Sequence, residues 1–369
     1  MTAGVLLPSV GDGPLPRGVG LPGLRFRSAP ARTVQVLGAP DEAGGCYVYR
    51  LAQGDLVQIG VAGLVSLADY RSGRIRRHEQ VERSDVRRRV RRWLADPLQR
   101  SPVLVGVRDD AAVAQLMADD MQGPVLASCV TEQGVEHTVW RARDPHAYTA
   151  AFTAHAAAWI ADGHHRFASA ARVAALWRRA HPPAAGEAPQ EQLLAVLMPV
   201  SSLRILPYHR LLCGVGPGQV RALLQQAASV GRLQEGMDAG GPCRGAVGLY
   251  AEGRWWTLQR PVSAEEQAHP LRALDHDWVQ RCLLGPVLGL RGGVAGDRVQ
   301  PVAGQAGVAA LAAAVDAGEA DVALAMPAVS MPEVMRVADA GLVMPAKSTW
   351  FAPKSFADVL AGFRDYKET

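Results

Sequence analysis

Lysine is almost absent from this chain. Of 39 basic residues, only those at 347, 354 and 367 are lysine; the rest are arginine. Cysteine is scarce as well: five thiols (Cys46, Cys129, Cys213, Cys243, Cys282) are scattered, odd in number and never spaced CxxC. That argues against a disulfide framework and against a thiolate zinc site. No apolar run approaches the roughly 18 residues a membrane span needs. The opening MTAGVLLPSVGDGPLPRGVG lacks the charged start and apolar core of a signal peptide, so a cytoplasmic location without a membrane partner is expected. No GxxxxGK[ST] occurs, no GxGxxG follows a strand, and His78-Glu79 does not open an HExxH. A nucleotide, if one binds, does so outside the common nucleotide folds. The chain has no internal repeat, and a net charge of +4 makes no demand for nucleic acid.

What is present fits a globular protein: 369 residues, 49% apolar and 20% charged, long enough for two domains or one elaborated one. Residues 1–31 are rich in Gly and Pro and read as an irregular arm. Residues 32–180 alternate β-like and helical segments, and residues 191–369 form a further α/β region beyond the Pro/Ala stretch at 180–190. The expected class is α/β (α+β). Tyr47, Val48, Tyr49 and Arg50 alternate as on a half-exposed strand. The stretch 69–98 predicts a helix capped by Ser84 or Asp85, with Val86, Val90, Trp93 and Leu94 inward and arginine on nearly all the other face. That arginine face is read either as a solvated surface or as one for an anionic partner.

The densest chemistry is Asp162-Gly163-His164-His165-Arg166. A buried strand (156–161) leads into it and an amphipathic helix (167–179) leads out. The first amides of a helix have no intrahelical partner and carry the positive end of its dipole, so this turn suits an anion. Asp162 is a candidate metal ligand and Arg166 a planar fork for phosphate; the alternative is an Asp N-cap in a solvated turn. Pro207-Tyr208-His209-Arg210 makes a second polar cluster at the end of an apolar strand. A third, Met344 to Phe356 (MPAKSTWFAPKSF), holds Lys347, Ser348, Thr349 and Lys354 between prolines that fix the backbone. A lysine kept against so strong an arginine bias points to a need for a compact ammonium, so Lys347 and Lys354 are read either as facing phosphate or as a lysine pair on a surface loop.

The order of these features resembles a known one. His78-Glu79-Gln80-Val81, an arginine-bearing helix, a Pro-Val strand and then Asp162 to Arg166 are similar to the free-serine kinases built on the ParB/sulfiredoxin-like fold. Over the whole chain, DGHHR, LPYHR (Leu206 to Arg210) and MPAKSTWFAPK (Met344 to Lys354) resemble a bacterial and archaeal family of uncharacterised proteins related to those kinases. The resemblance implies a ParB/sulfiredoxin-like core and a kinase that moves a phosphoryl group from ATP or ADP, with Mg²⁺, to free L-serine or a similar small hydroxy compound. It implies Glu79, Asp162 and His165 as catalytic residues and Asp162 near the metal. Gly163, His164, Arg166, His209, Arg210, Lys347 and Lys354 would surround the phosphates, and His78, Ser348 and Thr349 the acceptor. Three departures stand out: the family's N-terminal PPYDV-like segment is missing, Ser355-Phe356-Ala357 follows the final PK, and Ser169 stands where Ala is common. A nucleotide-binding or DNA-associated module, and a phosphatase using the same phosphate site, are the competing readings.

Overall fold

The computed structural model describes residues 23–37, 39–181, 188–290 and 298–363. Its centre is a nine-stranded mixed sheet. From one edge the strands run Ile75–Arg76, Ala158–Asp162, Val103–Val107, Gln192–Pro199, Leu56–Ser66, Tyr47–Gln53, Glu136–Arg141 and Val125–Val130, with Phe26–Arg27 pairing onto Leu56–Ser66. The central members are nearly all Val, Leu, Ile and Ala and are buried along their length, as strands covered on both faces must be. Tyr47 to Arg50 follow this pattern: Tyr47, Val48 and Tyr49 are all fully buried, so this strand is not half-exposed.

Two expectations about organisation change. Residues 1–22 of the arm lie outside the described residues, but Leu24 and Phe26 are buried in the core. The Phe26 ring lies against Gly63, where an added Cβ would come within 2.4 Å of it. Arg25 and Arg74 both bind the fully buried Asp69 carboxylate, which ties this segment to the sheet. The Gln192–Pro199 strand lies on the C-terminal side of the 180–190 stretch, yet it inserts between Val103–Val107 and Leu56–Ser66. The division at 180–191 therefore does not separate the sheets, and residues 182–187 of that stretch lie outside the described residues.

A second, six-stranded antiparallel sheet (Arg232–Glu235, Arg254–Gln259, Ala246–Ala251, Val322–Ala325, Tyr208–Leu212, Val299–Ala303) has its own core around Leu223, Leu249, Trp278 and Leu283. Small pairings join the regions: Ile205–Leu206 with Trp350–Phe351, and Val34–Val36 with Leu360–Phe363. The arginine helix is Arg83–Ala95, with Glu82 rather than Ser84 or Asp85 at its N-cap. Val90 and Trp93 are buried, but Leu94 is 55% exposed and belongs to the outer face. This helix packs against the helix His164–Ala180 that begins at the central turn. No described helix is long and apolar enough to cross a membrane, and all five cysteines are free thiols.

Candidate active site

The strand Ala158–Asp162 ends at Asp162, and the helix His164–Ala180 starts one residue later. Only glycine fits between them. Gly163 has φ +107°, and a Cβ there would lie 2.6 Å from Val103 Cγ1 on the neighbouring strand. The turn thus aims the helix N-terminus into an open, polar pocket. Asp162, His164, His165 and Arg166 line it, together with Glu79, Arg89, Tyr208, Lys347, Thr349, Phe351 and Lys354. Four cations face two carboxylates across this space, which favours an anionic ligand.

Glu79 is held by one hydrogen bond and faces a histidine ring. Its Oε1 accepts the Lys347 amide at 3.0 Å, and its Oε2 lies 3.6 Å from His164 Nδ1. The His78 amide donates to His164 Nε2 at 3.4 Å, which leaves the proton of the neutral ring on Nδ1, facing Glu79. Burial keeps His164 neutral, lowering its pKa to about 3 although Asp162 pulls the other way. His165 accepts the Glu82 amide at 3.1 Å through Nε2, and burial lowers its pKa too. The Ser169 hydroxyl, where the resembling family has Ala, is buried and donates to the His165 carbonyl at 2.7 Å.

Lys347, Thr349 and Lys354 arrive on the segment Met344 to Lys354. A parallel bridge joins Glu79 to Met344, whose amide donates to the His78 carbonyl at 2.7 Å. Lys347 itself has φ +59°, a left-handed conformation that a non-glycine residue rarely holds without support. Support comes from the Glu79 contact, from Ser348 Oγ donating to the Pro345 carbonyl (2.6 Å), and from Arg210 Nη2 donating to the Ala346 carbonyl (3.3 Å). Lys354 Nζ lies 3.9 Å from the Trp350 ring centroid and 3.5 Å from Asp162 Oδ1.

Several expected site residues stand elsewhere or are already engaged. His78 is fully buried and hydrogen-bonds Thr349 Oγ1 at 3.0 Å; Ser348 is buried as well. His209 and Arg210 lie within the buried strand Tyr208–Leu212, not at its end, and neither lines the pocket. His209 Nδ1 accepts the Met326 amide at 3.1 Å, and burial lowers its pKa to about 4. Arg210 donates to the carbonyls of Tyr208, His209 and Ala346, and burial lowers its pKa to about 10. These four support the site from behind.

Arg166, expected as the phosphate fork, gives Nη1 to the Ser101 carbonyl (3.1 Å), Ser101 Oγ (2.7 Å) and the Pro102 carbonyl (2.6 Å), and Nη2 to Asp162. It clamps the turn to the next strand. Asp162 is likewise not open to a metal, since its two oxygens face Arg166 and Lys354. Burial pushes the Asp162 carboxyl up, but those two cations more than offset it, and it lies below the usual carboxylate range. Among the described residues no three His, Cys, Asp or Glu converge as a metal site. An Mg²⁺ at this site would therefore rest on a carboxylate or two together with the phosphates of a bound nucleotide. Arg89, Ala161, Tyr208 and Phe351 line the pocket without having been expected there from the sequence. Arg89 was hidden among the other arginines of its helix; only its position four residues before the buried Trp93, on the flank nearest the packed face, could have singled it out.

A family model described as "Protein of unknown function (DUF1015)" matches residues 35–277. The chain belongs to this family. The match takes in Glu79, the central turn and Tyr208, while the lysine segment lies beyond it. No curated protein matches the chain. Among solved structures it is similar to a free serine kinase in complex with AMP, at 15% identity and TM-score 0.40, covering 80% of this chain and 90% of that one. It is also similar to a conserved hypothetical protein from Pyrococcus furiosus (14%, TM-score 0.38, 80% and 93% covered). A third is SbnI with a C-terminal truncation, from Staphylococcus aureus (13%, TM-score 0.43, 80% and 85%). Likenesses this distant assign neither a fold nor a site to this member of the family.

Proposed function

We propose that this chain is a phosphotransferase with a ParB/sulfiredoxin-like core that moves a phosphoryl group from ATP or ADP to the hydroxyl of free L-serine or a similar small hydroxy compound. One observation carries this reading: Glu79, held by the Lys347 amide, stands at the wall of a pocket that also holds a helix N-terminus and four cations. Phosphoryl transfer asks little covalent work of a protein; it needs a placed hydroxyl, an acceptor for its proton, and positive charge around the phosphate oxygens. The acceptor oxygen bonds to phosphorus as the bond from phosphorus to the donor's bridging oxygen breaks. The hydroxyl proton passes to Glu79, and the nucleotide leaves one phosphate shorter. The Lys347 amide keeps the Glu79 carboxylate oriented, and the neutral His164 ring stands beside it with Nδ1 3.6 Å from Oε2. The first amides of the His164–Ala180 helix, with Lys347 and Lys354, face the phosphates.

The test is Glu79→Gln, which keeps size and hydrogen bonding but removes the proton acceptor. Transfer from ATP or ADP to free serine, read by mass spectrometry, should fall about 10²- to 10⁴-fold. Nucleotide binding should persist, and Glu82→Gln on the exposed helix cap should be near wild type. Wild-type transfer by Glu79→Gln removes Glu79 from the role of base. Failure of the wild type to phosphorylate any small hydroxy compound with either nucleotide overturns the reading itself. Phosphate released from phosphoserine without nucleotide would instead mark a hydrolase.

A further inference from the structure

Arg89 differs from every other cation of the pocket. Arg166 is bound to Asp162, Ser101 and Pro102; Lys354 rests on Trp350 and Asp162; and Lys347 is anchored through its backbone to Glu79. Arg89 makes no hydrogen bond or ion pair with any described residue, and its Nε is buried without an acceptor. A buried charged donor left without an acceptor is costly, and chains seldom keep one unless a ligand completes it. Burial disfavours the charge on this guanidinium and the nearby Arg166 repels it, with Asp85 one turn back only partly offsetting them. The position is also fixed: Val90 and Trp93 of the same helix are buried, which sets the helix rotation and turns Arg89 into the pocket while Arg87, Arg88, Arg91 and Arg92 face solvent.

We infer that Arg89 is the planar fork that receives the phosphate chain of the donor, whereas Arg166 is a positioning residue that clamps the turn. The inference deepens the phosphotransfer reading and rests on it for the identity of the ligand. A guanidinium binds two oxygens of a phosphate at once, and Lys347 adds a compact charge on the same pocket. Two cations beyond those tied to Asp162 suit a ligand with at least two linked phosphoryl groups. The substrate class is therefore a nucleoside di- or triphosphate, with inorganic pyrophosphate as its minimal mimic.

Calorimetric titration of the full chain with inorganic pyrophosphate tests this without any turnover. Arg89→Gln should weaken binding about 10- to 100-fold, the range of a charge-assisted fork. Arg89→Lys should recover only part of the loss, and the melting temperature of both should stay near wild type. Arg91→Gln, on the exposed side of the same helix, should bind as wild type. Arg166→Gln should lower the melting temperature, because its loss releases Asp162 and the carbonyls of Ser101 and Pro102. Wild-type pyrophosphate affinity in Arg89→Gln overturns the inference. So does an equal loss in Arg91→Gln, which would mean diffuse attraction to the helix. Absence of pyrophosphate binding by the wild type overturns it as well. Tight, Arg89-dependent pyrophosphate binding without transfer to any hydroxyl compound supports Arg89 as the fork while removing the kinase reading.

Discussion

The pocket has two basic walls built in opposite ways. The turn from Asp162 to Arg166 is held by secondary structure: a buried strand ends, one glycine takes a left-handed conformation, and a helix starts. Asp162 and Arg166 satisfy each other and the residues just before the next strand, while His164 and His165 meet the segment from His78 to Glu82. The segment from Met344 to Lys354 has almost no regular structure, only the two-residue strand Trp350–Phe351. It is held by residues more than a hundred positions away, through His78, Glu79 and Arg210. The left-handed Lys347 belongs to this second wall, where tertiary contacts outweigh a conformation costing on the order of 1–3 kcal/mol. Local structure shapes the first wall, which long-range hydrogen bonds then tie down; the second wall takes its shape from long-range hydrogen bonds.

The sharpest test of that contrast is Gly163→Ala. The added methyl group meets Val103 in a conformation only glycine holds easily, so stability should fall by about 2–4 kcal/mol. Thermal or urea unfolding reads this directly. A melt within a degree of wild type would mean that the turn is not locally fixed.

Lys347→Gly probes the other wall and should act in the opposite sense. Glycine relaxes the left-handed backbone, so the variant should melt no lower than wild type, while pyrophosphate affinity falls about tenfold with the loss of the ammonium. A destabilised Lys347→Gly would show that the lysine side chain, and not the backbone contacts, holds the segment.

The smallest expected effect is on pH dependence. Burial holds His164 in the turn at a pKa of about 3, and holds His276, which lies near Arg210 behind the second wall, at about 3 as well. Each folded-state value lies below the unfolded one, near 6.5. The unfolded chain therefore takes up protons that the folded chain refuses, and stability falls as pH drops below about 6.5 toward the folded values. His276 Nε2 has no hydrogen-bond partner among the described residues, so His276→Leu should flatten the decline in melting temperature between pH 6.5 and 4.5. An unchanged slope would place the acid sensitivity elsewhere.

The strand–turn–helix around Gly163 was legible because its elements are written locally, as an apolar run, a glycine and then helical spacing, although Val103, Ser101 and Pro102 that hold the turn come from a distant segment. The shortage of lysine likewise picked out Lys347 and Lys354, both of which line the pocket. The sequence could not show which arginine is engaged and which is open. Arg166 stands in the motif but is taken up by Ser101 and Pro102, just before a strand adjacent only through tertiary pairing. Arg89 sits in a run of arginines that composition makes look alike, and only the burial of Val90 and Trp93 turns it into the site. His209 and Arg210 read as strand-end ligands because polarity was visible in the sequence, whereas the six-stranded sheet that buries them was not. Residue type and period set the elements and named the chemistry available. Which side chains meet an anion depended on where hydrogen-bond partners from distant segments were already present, and that is a property of the packed chain alone.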